Sequence, residues 1–245
     1  MRAVIYEPKG RAGEYASLAL NIYRGCLHGC TYCFAPSATR VDRERFHDPE
    51  FIKPRDKILV DLAQQATLMA GDPRPILLSF TSDPYQPMER EAQVTRSALK
   101  ILMANRLTAT ILTKGGAWGL QRDKEILTMN PGNTWAATLT FDDYALSRAW
   151  EPLANSPAER VLGLRWAKEA GLKTWVSFEP VIDPAAVYRL LDATYEFVDF
   201  YKVGKLNYHA YAKEIDWVRF RGEIQSRLTR LGKSYYIKKD LAAAA

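Results

Sequence analysis

Three cysteines stand within eight residues of one another in a chain that has no others: Cys26, Cys30 and Cys33, in the run Arg24-Gly25-Cys26-Leu27-His28-Gly29-Cys30-Thr31-Tyr32-Cys33-Phe34. A disulfide framework would spread an even number of cysteines along a secreted chain, so an odd, clustered set points to metal or redox chemistry. The spacing is C-x3-C-x2-C. Three thiolates on one short loop can bind three irons of a [4Fe–4S] cluster, whereas electron-transfer clusters ordinarily take four. With no fourth cysteine, the remaining iron would be open to a chelating ligand, which suits a catalytic cluster. Two other readings of the spacing stay open. One is a tetrahedral zinc site completed by His28, His47 or His209; the other is three unconnected structural thiols. His28 lies between two of the cysteines, which strains tetrahedral closure, and the other histidines have no supporting spacing.

The elements that must position this loop alternate between short β-rich runs and longer helical ones. Strands are expected at Ser17–Tyr23, Pro75–Phe80, Leu107–Thr113, Thr134–Thr140, Lys173–Phe178 and Phe197–Val203. Helices are expected at Arg55–Met69, Glu91–Ala104, Leu120–Met129, Ala158–Ala170, Pro184–Leu191 and Tyr211–Leu231. In the first helix Ile58, Leu59, Leu62, Ala63, Ala66 and Met69 share one face. Ser156-Pro157 forms an N-cap and N1 pair, and Gly171 closes that helix. Six strands each followed by a helix imply a parallel α/β sheet wound in one direction. Six units fall short of a full eight-unit barrel, so the expected fold is a partial (β/α)6 TIM-like barrel, with a doubly wound sheet as the alternative. In either, functional groups gather at the carboxyl ends of the strands. Those ends carry the cysteines, Thr81-Ser82-Asp83, Thr113-Lys114, Thr140-Phe141-Asp142, Glu179-Pro180 and Lys205-Leu206-Asn207.

In motif and position the chain resembles the radical S-adenosylmethionine (SAM) superfamily, and within it the spore photoproduct lyase-like group, often labelled DNA repair photolyase. The stretches that carry the likeness are Asn21–Phe34, Thr81-Ser82-Asp83-Pro84-Tyr85-Gln86-Pro87, Leu112-Thr113-Lys114 and Tyr235–Leu241. The resemblance implies a [4Fe–4S] cluster on Cys26, Cys30 and Cys33, with SAM chelating the open iron. Reduction of the cluster would cleave SAM to methionine and a 5′-deoxyadenosyl radical, which abstracts hydrogen from a substrate. An external flavodoxin- or ferredoxin-like electron donor is then required. By the same resemblance Tyr32 packs beside the adenine, and Thr81 and Ser82 contact the methionine moiety. Lys114 and Arg160 are candidates for the SAM carboxylate, and Thr138 for the ribose. Asp83, Tyr85, Gln86 and Glu89 are candidates for substrate contact. Exposed aromatics near the same face (Tyr23, Tyr32, Tyr85, Tyr208 and Tyr211) could stack bases. One departure from the group matters: the cysteine that returns hydrogen to the product is Phe80 here, which points away from spore photoproduct repair and toward another substrate.

Composition frames these expectations. With 47% hydrophobic and 25% charged residues in 245, the chain is neither disordered nor low-complexity. It reads as a single domain: an arm at 1–16, a barrel core at 17–210, and a basic helix and tail at 211–245. No apolar run approaches the ~20 residues of a membrane span, and Met1–Tyr6 offers no signal-peptide core, so a cytoplasmic monomer is expected. Lys and Arg number 34 against 28 Asp and Glu. The segment from Tyr211 holds eight of the basic residues and four of the acidic ones. Arg219, Arg221, Arg227, Arg230, Lys233, Lys238 and Lys239 could therefore meet phosphates of a nucleic acid. The alternative from a different class is a zinc- or cluster-stabilised nucleic-acid-binding module without turnover.

Overall fold

Short apolar runs that are buried on both faces belong in a parallel sheet covered by helices, and that is where they lie. The computed structural model describes residues 2–207 and 209–244. Its strands are β1 (Ile5–Tyr6), β2 (Leu18–Leu20), β3 (Tyr23–Arg24), β4 (Lys53–Pro54), β5 (Ile76–Leu78), β6 (Ala109–Thr113), β7 (Thr134–Thr138), β8 (Lys173–Val181), β9 (Phe200–Lys205) and β10 (Ser234–Ile237). Its helices are α1 (Ala35–Thr39), α2 (Arg43–Phe46), α3 (Ile58–Leu68), α4 (Glu89–Ala92), α5 (Val94–Ala104), α6 (Ala117–Leu127), α7 (Tyr144–Trp150), α8 (Pro157–Glu169), α9 (Pro184–Thr194), α10 (Trp217–Arg230) and α11 (Lys239–Ala242), with 3-10 turns at Gly10–Glu14 and Ala210–Glu214.

The main sheet runs β1-β2-β5-β6-β7-β8-β9-β10, all parallel except β1. From β2 onward spatial order follows chain order, without the reversal that defines a doubly wound sheet. The architecture is the partial barrel. Alternation along the strands separates two cores. One face, with Leu18, Leu20, Ile76, Leu78, Ile111, Val176, Tyr201 and Val203, packs against the helices. The other, with Ala19, Leu77, Ala136 and Trp175, fills the lumen together with Tyr15, Phe80, Leu112 and Phe200. The N-terminal turn crosses from the β1 edge to the β10 edge. There Lys202 Nζ donates to the carbonyls of Glu14 and Tyr15, Tyr236 OH donates to Glu14, and Arg11 pairs with Asp240.

Several boundaries differ from expectation for local reasons. The first strand ends at Leu20 because the Asn21 carboxamide turns aside to accept the N–H groups of Phe80 and Thr81. Tyr23–Arg24 then pairs with Lys53–Pro54 in a separate ribbon. The helix expected at Glu91–Ala104 breaks at Gln93, which adopts φ 49°, because the buried Glu89 carboxylate accepts the N–H groups of Thr95 and Arg96 and caps α5. The helix expected from Tyr211 begins at Trp217, where Asp216 supplies the N-cap. The α8 start follows the expected pattern, as a complete capping box between Ser156 and Glu159. The strand β10 escaped the periodicity because one exposed and three half-buried residues carry no alternation.

Candidate active site

The cysteine loop leaves β3 at Gly25, whose φ of 68° and crowding demand glycine: a Cβ would lie 2.6 Å from the Phe46 carbonyl oxygen. From there the loop is held at nearly every residue. Cys26 N–H donates to Phe46, and His47 Nδ1 lies 2.7 Å from the Cys26 carbonyl. Leu27 N–H donates to the wholly buried Gln86 carboxamide at 2.8 Å. Arg43 donates to the carbonyls of Cys30 and Cys33. Thr31 N–H reaches the Trp150 carbonyl, and Leu153 N–H reaches that of His28. These backbone ties leave all three thiols facing one cavity of about 430 Å³ at the carboxyl ends of the strands.

That cavity gathers most of the residues singled out from sequence. Cys26, Cys30, Cys33, Tyr32, Thr81, Ser82, Lys114 and Thr138 all line it. Asp83, Glu179, Pro180, Lys205 and Asn207 also line it. Arg160 does not. Its guanidinium lies behind the wall, where it pairs with Glu151 at 2.5 Å and donates to the carbonyls of Asn155 and Thr138. It braces the site instead of presenting a fork to a ligand. The buried Glu151 also accepts the Tyr32 hydroxyl, so Tyr32 is fixed from behind. Asp83 ties its own turn to the end of β6, accepting the Tyr85 N–H and the Thr113 hydroxyl on one oxygen and the Lys114 N–H at 2.6 Å on the other.

Charge is unevenly distributed around this cavity. Burial pushes the Cys30 thiol up to about 12 and raises Cys26 and Cys33, and it lowers His28 to about 4. Burial works against the Lys114 ammonium, yet Cys30 and Glu151 outweigh it and hold Lys114 above its ordinary value. Burial likewise opposes ionisation of Glu151, and Arg160 and Lys114 outweigh it, so its carboxyl sits below the usual range.

Among the described residues no group of three or more Cys, His, Asp and Glu forms a ready-made metal set. Fit therefore turns on donor chemistry. A cationic cluster would supply the compensation these buried thiols lack, since a coordinating thiol is deprotonated outright, and an all-thiolate set favours iron–sulfur or zinc over harder metals. Four buried polar atoms have no partner among the described residues; three of them, His28 Nε2, Ser79 Oγ and Ser82 Oγ, belong to residues that line the cavity, and the fourth, His47 Nε2, does not. Buried polar atoms without partners mark the place of a polar ligand. The zinc alternative loses two of its three histidines: neither His47 nor His209 lines the cavity. His47 is bonded to Cys26, and His209 lies against Trp150. A three-thiol site facing a largely apolar cavity into which a few unpartnered polar side chains open fits a cluster with an open iron.

Other expectations need correction. Tyr85, Gln86 and Glu89 are fully buried and do not line the cavity. Tyr85 OH donates to Asp123, Gln86 pins the cysteine loop, and Glu89 pairs with Arg122 and accepts the Tyr23 hydroxyl. Tyr23 is therefore no stacking platform, and Tyr208 lies outside the described residues. The basic tail is partly tied into the fold: Lys238 is buried and donates to both oxygens of Glu179, Arg221 binds the carbonyls of Leu241, Ala242 and Ala244, and Lys233 binds that of Val198. Glu151, Arg43 and the Tyr15–Glu179–Lys238 cluster carried no signal in spacing: Tyr15 and Lys238 meet Glu179 from far away in sequence, and the short separations of Glu151 from Arg160 and of Arg43 from Cys33 match no helical or strand period.

The fold is shared with spore photoproduct lyase and with SuiB. A variant spore photoproduct lyase with bound AdoMet and dinucleoside spore photoproduct superposes with TM-score 0.62 at 14% identity, over 91% of this chain and 76% of that one. Streptococcus suis SuiB bound to S-adenosylmethionine gives 0.62 at 14% identity, over 89% of this chain and 45% of that one. SuiB bound to its precursor peptide SuiA gives 0.63 at 17%. In sequence, an uncharacterised protein of Methanocaldococcus jannaschii is 26% identical over 197 residues, 80% of this chain and 72% of that one. One from Mycobacterium tuberculosis is 27% identical over 168 residues, covering 66% of this chain. The chain spans less than half of SuiB and about half of the mycobacterial protein. No family model matches. Among the described residues no helix is long and apolar enough to cross a membrane.

Proposed function

We propose that this chain is a radical SAM enzyme. The observation that carries the reading is the single cavity into which three thiols and three unpartnered polar side chains open, at the carboxyl end of a partial barrel whose solved counterparts hold S-adenosylmethionine. Cys26, Cys30 and Cys33 would hold a [4Fe–4S] cluster, and Ser82, Thr81, Lys114, Thr138 and Tyr32 would hold SAM. When bound and reduced, the cluster supplies the electron that cleaves SAM and opens hydrogen abstraction from the substrate. The protein's own residues orient and shield. The Lys114 ammonium, held protonated by Cys30 and Glu151, offers the charge complementary to a carboxylate. Ser82 offers a buried hydroxyl free to bond. The Glu151–Arg160 pair keeps Tyr32 in place without entering the cavity. The lumen aromatics Tyr15, Phe80 and Trp175 exclude water from below.

Arg11, Lys205 and Lys238 also line the cavity, Arg11 paired with Asp240 and Lys238 with Glu179. The Lys205 ammonium beside the cavity favours an anionic partner such as a nucleic acid carrying a lesion or modified nucleotide, which would have to leave its stack to reach the site. A flavodoxin- or ferredoxin-like protein supplies the electron. The test is anaerobic reconstitution: brown protein with about four irons and four sulfides per chain is expected, lost on Cys30→Ala. Colourless protein holding one zinc would return the chain to a binding module without turnover.

A further inference from the structure

One short helix holds the main chains of all three cysteines. Cys26 N–H donates to the Phe46 carbonyl at the end of α2, and Nδ1 of His47, the residue that caps α2, lies 2.7 Å from the Cys26 carbonyl. Arg43, the first residue of α2, reaches the other two. Its Nη2 donates to the Cys33 carbonyl at 2.8 Å and its Nη1 to the Cys30 carbonyl at 3.3 Å. Cys33 N–H donates to the same Cys30 oxygen and closes the turn between these two cysteines. The neighbouring Asp42 carboxylate is turned to the N–H groups of Glu44 and Arg45, and among the described residues no carboxylate pairs with the Arg43 guanidinium. This cation differs from Lys114 in its place. Lys114 lines the cavity, where an anionic ligand can neutralise it, whereas Arg43 is exposed and does not line the cavity. A guanidinium also stays charged at any working pH, so its charge is independent of the state of the thiols. A fixed positive charge stabilises an anionic centre more as that centre gains negative charge, and the potentials of iron–sulfur clusters follow net charge, hydrogen bonds and exposure.

Resting on the radical SAM reading, we propose that Arg43 is a positioning residue that raises the reduction potential of the cluster on Cys26, Cys30 and Cys33. The step it eases is the transfer of one electron from the external donor to the oxidised [4Fe–4S]2+ cluster, giving [4Fe–4S]+, with no bond made or broken and no proton moved. Arg43 acts through the carbonyls of Cys30 and Cys33, from behind the loop and outside the cavity.

The test is a potentiometric titration of reconstituted protein without SAM, with dithionite and redox mediators, followed by electron paramagnetic resonance of the reduced cluster. Arg43→Met removes the charge and both bonds; Arg43→Gln removes the charge and keeps an amide donor; Arg43→Lys keeps the charge and loses the planar fork. Both neutral variants are expected to disfavour reduction by about tenfold, a midpoint shift of about 59 mV toward more negative potential for this one-electron couple. Arg43→Lys is expected to recover at least half of that shift. The titration reads whatever cluster is present, so lower iron loading does not mask the result. A midpoint that stays put or rises in the neutral variants, or a lysine variant shifted as far as Arg43→Met, overturns the assignment while leaving the radical SAM reading intact. Neutral variants that hold no cluster at all would make Arg43 a prop of the loop and overturn it too. Wild-type protein that takes up no [4Fe–4S] cluster would bring down the radical SAM reading and this inference with it.

Discussion

Arg160→Met strands a buried charge. Glu151 is wholly buried, and Arg160 is its partner at 2.5 Å, with side-chain exposures of 0% and 1%. Removing one member of such a pair costs about 3–5 kcal/mol, because the remaining carboxylate keeps its desolvation and loses its compensation. For a chain of this size each kcal/mol moves Tm by about 2–4 °C, so the variant should melt about 6–20 °C lower at pH 7. The sign of the pH dependence is fixed by Glu151. In the wild type its carboxyl is held below the ordinary range, so its contribution is present at neutral pH and is lost as pH falls through that lowered value. In the variant burial acts with less opposition, the carboxyl rises, and acid neutralises the stranded charge. The gap in Tm between wild type and variant should therefore narrow from pH 7 toward pH 4–5. Glu151→Gln with Arg160→Met should recover much of the loss at pH 7. Scanning calorimetry of the cluster-free proteins reads both effects. A gap that is absent, or that stays constant across this pH range, would refute the claim that the pair is an ionised, solvent-excluded brace.

Three further outcomes follow from the site. Lys114→Met should weaken SAM by about tenfold or more with iron content unchanged, read by equilibrium binding under anaerobic conditions, because it removes a half-buried cation lining the cavity. Gly25→Ala should lower iron loading, measured by iron assay after reconstitution, since its Cβ would lie 2.6 Å from the Phe46 oxygen at a φ of 68°. Lys205→Glu at the cavity rim should weaken binding to single-stranded DNA or RNA at low salt and flatten its salt dependence; binding indifferent to that reversal would move the substrate search to peptides.

Strand and helix order could be read because each unit is short, apolar and punctuated, as at Ser156-Pro157 and Gly171. The cavity-lining set at Cys26, Cys30, Cys33, Thr81, Ser82 and Lys114 was legible for a topological reason: in a parallel sheet, residues that end successive strands converge on one rim. What spacing could not show was which polar residues serve the fold. Asp83, Gln86 and Glu89 lie within seven residues, yet Asp83 lines the cavity while the other two are consumed by buried bonds to Leu27, Thr95 and Arg122. Arg160 sits at a helix start in sequence, and only the fold reveals that Glu151 claims it. Likewise Lys238 reads as part of a basic surface until β10 inserts beside β9 and turns its ammonium onto Glu179.

We propose that the cysteine cavity cleaves SAM. Reduced, cluster-loaded protein incubated anaerobically with SAM should release 5′-deoxyadenosine and methionine, even slowly and without substrate, and Cys26→Ala, Cys30→Ala and Cys33→Ala should each abolish it. Iron-loaded wild-type protein that forms no 5′-deoxyadenosine above the level of these variants, under conditions where a known radical SAM enzyme does, would show that this cavity does not cleave SAM.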